Sequence, residues 1–393
     1  VAERVYLHIG APKSGTTFLQ TTVWSNKPLL QQAGVLLPGP TRRTHIAMAA
    51  WARTDSPSPA QHRGWTQLRS EIAAWPGNAL VSCEWFTMVP DALIARLIEG
   101  LQPAEVHVVF TARSAARTLP AAWQERLKLG DSIDLADMLE SMETADNERW
   151  NWATLDPSRV LPRWGKHVPH DRIHLVTLPP SGTPSSVLWT RFAQACEIPE
   201  TELTQNKAFA NESLTAEAAR LMQLIGPQLL EEVGSDGYDK YRWIRNYLSH
   251  NLLAREAGHK IRLLPDELAA LEVHTDGAIA TLEAGGFDVV GDLADLRDTP
   301  DQSHAVRPSE VSDQALLALT SAVLPPVLGR LRAEYDRANR ERSRANRAEE
   351  SPDPSTLDTV RRRVRSGISS RLPVRARTWI RTAISRRTPT ARS

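Results

Sequence analysis

The first run of apolar residues in the chain is Val5-Tyr6-Leu7-His8-Ile9, closed by Gly10 and a Gly/Pro/Ser loop, after which Thr16 to Trp24 carry apolar residues at helical spacing. The pattern predicts strand, loop and helix. Similar short runs recur at Val35–Leu37, Ala79–Cys83, Val106–Phe110 and Ile173–Leu178, with helical stretches between them. Buried strands alternating with helices predict an α/β domain of three layers, a central parallel sheet covered on both faces. In such a sheet ligands bind where the loops leave the C-terminal strand ends. Beyond Pro199 the strand signal fades, and helical spacing takes over in residues 215–232, 238–255 and 265–284.

The expected organisation is one domain over residues 1–298, sheet-forming to 200 and helical from 200 to 298. A polar, proline-bearing linker at 299–311 is then followed by a helix at 312–346, apolar first and charged later, and by a basic tail at 347–393. With 393 residues, 41% hydrophobic and 24% charged, the chain has the composition of a globular protein, which excludes a fibrous or wholly disordered one. No run approaches the roughly 18 apolar residues that a spanning helix needs, and the start lacks a signal-peptide layout. The expected location is therefore cytoplasmic. Cys83 and Cys196 stand apart and outside any CxxC pair, so both are expected in the core.

Charge changes this picture at one end only. Residues 357–393 hold 11 Arg against the single Asp358, which leaves residues 1–356 at −9 out of a total of +1. An acidic body lacks the basic face of a nucleic-acid-binding domain, so nucleic acid is not an expected partner. In the tail, Val360, Val364, Ile368 and Leu372 are spaced by four among arginines. Such a segment could lie on an anionic membrane surface as a peripheral attachment, or stay solvated.

The chemistry concentrates in Gly10-Ala11-Pro12-Lys13-Ser14-Gly15-Thr16-Thr17, which has the G-x-x-x-x-G spacing of a phosphate-cradling loop. In nucleoside-triphosphate hydrolases a lysine follows the second glycine; here Thr16 holds that place and the cation sits inside the loop at Lys13. Loop amides and a helix N-terminus still suit an anion. No later strand ends in a clear aspartate for magnesium, which disfavours hydrolysis of a magnesium-bound triphosphate.

Pro12–Thr17, set within His8–Gln20, resembles the 5′-phosphosulfate loop of the bacterial, carbohydrate-type sulfotransferases that use 3′-phosphoadenosine 5′-phosphosulfate (PAPS). The resemblance covers about residues 1–200, with a weaker likeness at 286–293. It implies a P-loop-like fold, transfer of a sulfuryl group to an acceptor hydroxyl of a sugar, glycolipid or other metabolite, and no metal. It assigns donor binding to Pro12, Lys13, Ser14, Gly15, Thr16 and Thr17. After the fourth strand, Arg113 matches the family's arginine on the 3′-phosphate, whereas the serine eight positions later is replaced by Ala121. Ser114, Arg117 and Thr118 are the candidate substitutes.

Transfer from a phosphosulfate anhydride puts negative charge on the departing bridging oxygen, and Lys13 is the candidate cation there. Glu84, just past the third strand, resembles the family's glutamate base, with Trp85 and Phe86 beside it. His45, in a loop expected to cover the site, is the rival base. Two other readings stay open: a small-molecule kinase on the same fold, and a non-catalytic nucleotide-fold protein attached to membrane by its tail. Among weaker signals, the polar side of Trp123–Lys128 could reach the acceptor, and Trp150 and Trp152 could wall a sugar or adenine ring. His167, His170 and His174 have a spacing that Pro169 interrupts, so no metal is expected.

Overall fold

The computed structural model describes residues 1–144, 149–199, 213–234 and 237–350. The chain forms two compact units, Val1–Val323 and Leu324–Ser393. In the first unit the strands are β1 (Arg4–Gly10), β2 (Val35–Leu36), β3 (Asn78–Ser82), β4 (Glu105–Ala112), β5 (Ile173–Thr177), β6 (Lys260–Ile261), β7 (Asp288–Val290) and β8 (Ala305–Val306). Six of them make one sheet in the order β2-β3-β1-β4-β5-β7. Every pairing in it is parallel.

Strand alternation divides the apolar residues between two layers. Val5, Leu7 and Ile9 of β1 join Val81, Val108, Phe110 and Leu175 in a core on one face. Tyr6, Leu80, Val109 and Val176 face the other way, onto Leu19, Leu188 and Phe192 of the covering helices. Both faces are therefore dry, which is why the strands read as nearly continuous apolar runs. β1 lies at the centre, and the chain leaves it first toward β3 and later toward β4. That reversal of direction opens a crevice at the C-terminal end of β1, where the first loop sits.

The helical half follows the expected spacing, with Ala216–Val233 and Pro265–Gly285 as α-helices and Lys240–Leu252 wound in wider π turns. Three features differ from expectation. β7 adds a sixth strand, pairing His174 with Asp288 and Val176 with Val290. The stretch expected as a linker is packed, because β8 pairs with β6 and the Arg307 guanidinium is buried against Glu267, 3.0 Å away. A helix runs Asp313–Glu350, and its part Asp313–Asn346 is long and apolar enough to cross a membrane by length and composition, with a mean hydropathy of 1.3 over its best stretch. It shows no uninterrupted apolar run because Thr320, Ser321, Pro325, Pro326 and Gly329 interrupt the leucines without adding charge. The basic segment 357–393 lies outside the described residues.

Candidate functional site

β1 ends at Gly10 with φ 122°, and Gly15 turns left-handed at φ 81° immediately before the helix Thr16–Ser25. Both glycines are favoured by their positive φ, and Gly10 also by a close backbone neighbour. A Cβ on Gly10 would stand 3.1 Å from the Glu84 carbonyl oxygen, and one on Gly15 would stand 2.6 Å from Leu188 Cδ2. No side chain caps the helix, and its first turn holds no acidic residue. Its leading amides and dipole therefore point into the crevice, where they favour an anion.

A polar seam beneath the loop fixes its shape. Ser14 Oγ donates to the Ala11 carbonyl at 2.5 Å and lies 2.6 Å from Thr111 Oγ1, which in turn donates to the Gly10 carbonyl at 3.0 Å. His8 joins the seam through Ser82 Oγ at 2.7 Å and Thr111 Oγ1 at 3.3 Å. Burial pushes the His8 imidazole down to about 3, so it stays neutral and acts as a fixed strut. The Ser14 hydroxyl is thus committed to bracing the loop.

Lys13, itself at φ 67°, carries its ammonium to 2.7 Å from Glu125 Oε1. The same carboxylate meets Lys128 Nζ at 3.2 Å and Arg245 Nη2 at 2.9 Å. Three cations surround one acid in a largely buried place. Burial alone would raise the Glu125 carboxyl, but Lys13, Lys128 and Arg245 overcome it and hold the group well below the usual carboxylate range. Burial lowers Lys13 to about 8; Glu125 opposes the shift, while Lys128 and Arg245 reinforce it. The ammonium is therefore present at neutral pH, paired with Glu125 and held against its own desolvation.

Glu84 opens the short turn Glu84–Met88 after β3 and packs against Gly10. Gln20 donates to its Oε2 at 2.9 Å, and Arg42 Nη2 stands 3.5 Å from its Oε1. The carboxylate is positioned from two sides, its side chain 13% exposed. The structure thus brings Lys13 and Glu84 to the same strand ends. His45 is placed differently from the expectation of a covering loop. It belongs to the helix Arg42–Ala52, is fully buried, and spends both ring nitrogens on backbone: Nδ1 accepts from the Ser82 N–H at 3.1 Å and Nε2 lies 3.0 Å from the Pro38 carbonyl. Burial pushes it down to about 4.

Arg113 leaves the end of β4, where Nη1 donates to the Lys13 carbonyl at 3.3 Å. Burial first, and then Arg117, lower it to about 10, so it remains charged at neutrality. Its Nε and the neighbouring Ser114 Oγ are buried with no hydrogen-bond partner. Of the substitutes for the missing serine, Arg117 is engaged by Asp298 at 2.6 Å and Thr118 turns back to the Arg113 carbonyl at 3.4 Å. Ser114 is the one with an unfilled hydroxyl. His170 faces the Gly285 carbonyl while His174 bonds His107 and Asp288, so the three-histidine spacing brings no common centre together.

Two members of the cluster, Glu125 and Lys128, lie on the polar side of the Trp123–Lys128 segment, whereas Arg245 arrives from the π-wound helix 120 positions away. No local pattern marks that arginine. Comparison with protein-family models and with curated proteins finds no match to this chain, so the meaning of the site rests on its own geometry.

Proposed function

We propose that the protein transfers a sulfuryl group from PAPS to an acceptor hydroxyl at the end of β1. The observation that carries this reading is the Lys13 ammonium, held by Glu125 in the loop that leads into the uncapped helix N-terminus. A phosphosulfate anhydride suits the loop amides and the Lys13 ammonium, and the orphaned Arg113 Nε and Ser114 Oγ suit a further phosphate nearby. Lys13 to Thr17 present backbone N–H donors to the donor's 5′ side, with Pro12 fixing the turn that leads into them. Lys13 has three ammonium protons, so it can keep Glu125 and still meet the departing bridging oxygen. Glu84 takes the proton of the attacking hydroxyl as the new oxygen–sulfur bond forms and the bridging oxygen–sulfur bond breaks, its electron pair leaving on the nucleotide phosphate.

Titration calorimetry with 3′-phosphoadenosine 5′-phosphate against ATP tests the reading. The former should bind much more tightly; preference for ATP would favour the kinase, and no binding of either the non-catalytic protein. Arg113→Ala should weaken 3′-phosphoadenosine 5′-phosphate by about 1.5–3 kcal/mol, the scale of a charged hydrogen bond, while adenosine 5′-phosphosulfate, which lacks the 3′-phosphate, changes little. Equal weakening of both would make Arg113 a brace for the Lys13 carbonyl alone.

The same titration over a pH series reports on Lys13. Its pKa in the free protein is about 8, and an anion prefers the protonated form. Affinity is then full below pH 8, and above it binding must draw a proton, so the dissociation constant should rise by about ten-fold per pH unit. Lys13→Arg should flatten the series, because guanidinium stays charged. A flat series in the unaltered protein would separate Lys13 from the anion.

A further inference from the structure

Near the starting ends of β4 and β5, away from the crevice, the sheet carries a line of polar side chains. His107 of β4 and His174 of β5 lie with ring planes 2° apart and centroids 5.2 Å apart, and Nδ1 of His107 stands 2.9 Å from Nε2 of His174. Each outer nitrogen ends on a carboxylate. His107 Nε2 is 2.9 Å from Glu105 Oε1, and His174 Nδ1 is 2.6 Å from Asp288 Oδ2 on β7. The line thus crosses three neighbouring strands, β4, β5 and β7. Both imidazoles are buried, which leaves water little access to replace the bond between them.

Counting protons decides what this line needs. An ionised carboxylate offers only lone pairs, so Glu105 and Asp288 each require an N–H from the ring that faces them. The bond between the rings requires a third proton. Two neutral imidazoles carry one N–H each. We infer that the His107–His174 pair binds one proton beyond those two, a shared imidazolium that fastens β4, β5 and β7 together at neutral pH.

The surroundings favour one added proton and not two. Among the described residues, β1 presents Tyr6, whose ring lies 5.0 Å from His107 and 6.3 Å from His174, and Arg4, 3.4 Å from Glu105. The turn before β5 presents Arg172, 2.9 Å from Glu105, and the segment after the helix Ser185–Ala195 presents Cys196 and Glu197, the latter 2.5 Å from Arg4. Burial pushes the Tyr6 hydroxyl and the Cys196 thiol up, so both stay neutral. The His107 hydrogen bond holds the Glu105 carboxyl below its usual range, with burial opposing and Arg172 reinforcing, which keeps it an acceptor. Burial first lowers His107, Glu105 opposes, and His174 and Arg4 reinforce the shift, so a second added proton is resisted. The sign of the linkage follows. A proton kept by the folded pair above the ordinary imidazole value of about 6.5 stabilises the fold fully below that value, and the contribution is lost as pH rises through the pair's own titration.

The full chain labelled with ¹⁵N-histidine reads the count, because long-range proton–nitrogen spectra distinguish protonated from bare ring nitrogens; His107→Gln and His174→Gln assign the signals. At neutral pH the pair should show three protonated nitrogens and one bare, and the added proton should leave with a midpoint about one pH unit or more above the ordinary imidazole value. Two bare nitrogens at neutral pH, with a midpoint at or below that value, would overturn the assignment. Asp288→Asn is the second arm, since an amide can donate to an imidazole nitrogen and removes the need for the third proton. In it the pair's proton affinity should fall by about ten-fold or more, and the drop in unfolding midpoint between neutral and alkaline pH should be smaller than in the unaltered protein. An unchanged titration in folded Asp288→Asn would also overturn the shared proton. If that variant does not fold, the nitrogen count in the unaltered protein decides alone.

Discussion

Lys13→Ala is expected to lower turnover by about 10² or more, the loss seen when one oriented donor to developing charge is removed, while the protein stays folded. The reason for the second half is local. Removing one partner of a buried ion pair costs about 3–5 kcal/mol when it strands the other charge. Here Glu125 would still hold Lys128 at 3.2 Å and Arg245 at 2.9 Å, so no charge is stranded. Nucleotide affinity should fall less than turnover, since the loop amides and the helix N-terminus remain, whereas the charge that grows on the bridging oxygen loses its only cation inside the loop. Steady-state kinetics with a thermal unfolding curve on the same sample separates the cases. A folded variant with near-normal turnover would remove Lys13 from the chemistry, and an equal fall in affinity and turnover would make it a binding residue alone.

How much of this could be read from the chain follows from which interactions are local. Strands buried on both faces print themselves as short apolar runs, so β1, β2, β3, β4 and β5 were legible. The other strands of two or three residues, β6, β7 and β8, are too short to show a period, and their pairing is decided by partners 45 or more residues away, Lys260 with Ala305 and His174 with Asp288. The packed stretch at 299–311 looked like a linker because its polarity is real, but Arg307 spends that polarity on Glu267 and Asp134 rather than on water. The loop motif was legible because glycine spacing encodes backbone shape. Its electrostatics were not: the Lys13 environment is built from residues at 125, 128 and 245, and only the fold brings the last of them to the loop. Ser14 shows the limit of a motif within one residue, since its hydroxyl turned inward to Ala11 and Thr111.

The choice between Glu84 and His45 was open in the sequence, and geometry makes it testable with opposite signatures. Thr-Arg-Arg-Thr-His looked like a polar loop, yet Thr41 starts a helix whose Met48, Ala49 and Ala52 reach the core and carry His45 inside. With both its nitrogens bound to backbone and burial holding it near 4, His45 has neither a free lone pair nor an approach for an acceptor. His45→Ala should therefore lower stability by about 1–3 kcal/mol, the cost of leaving the Ser82 amide unsatisfied, with turnover per folded molecule nearly unchanged. Glu84→Gln should do the opposite. It keeps the shape and an oxygen for Gln20, loses the proton acceptor, and should lower turnover by about 10²–10⁴, with little change in the unfolding midpoint. Full activity in Glu84→Gln alongside a folded but inactive His45→Ala would reverse the assignment and require a His45 rotation that frees it from Pro38 and Ser82.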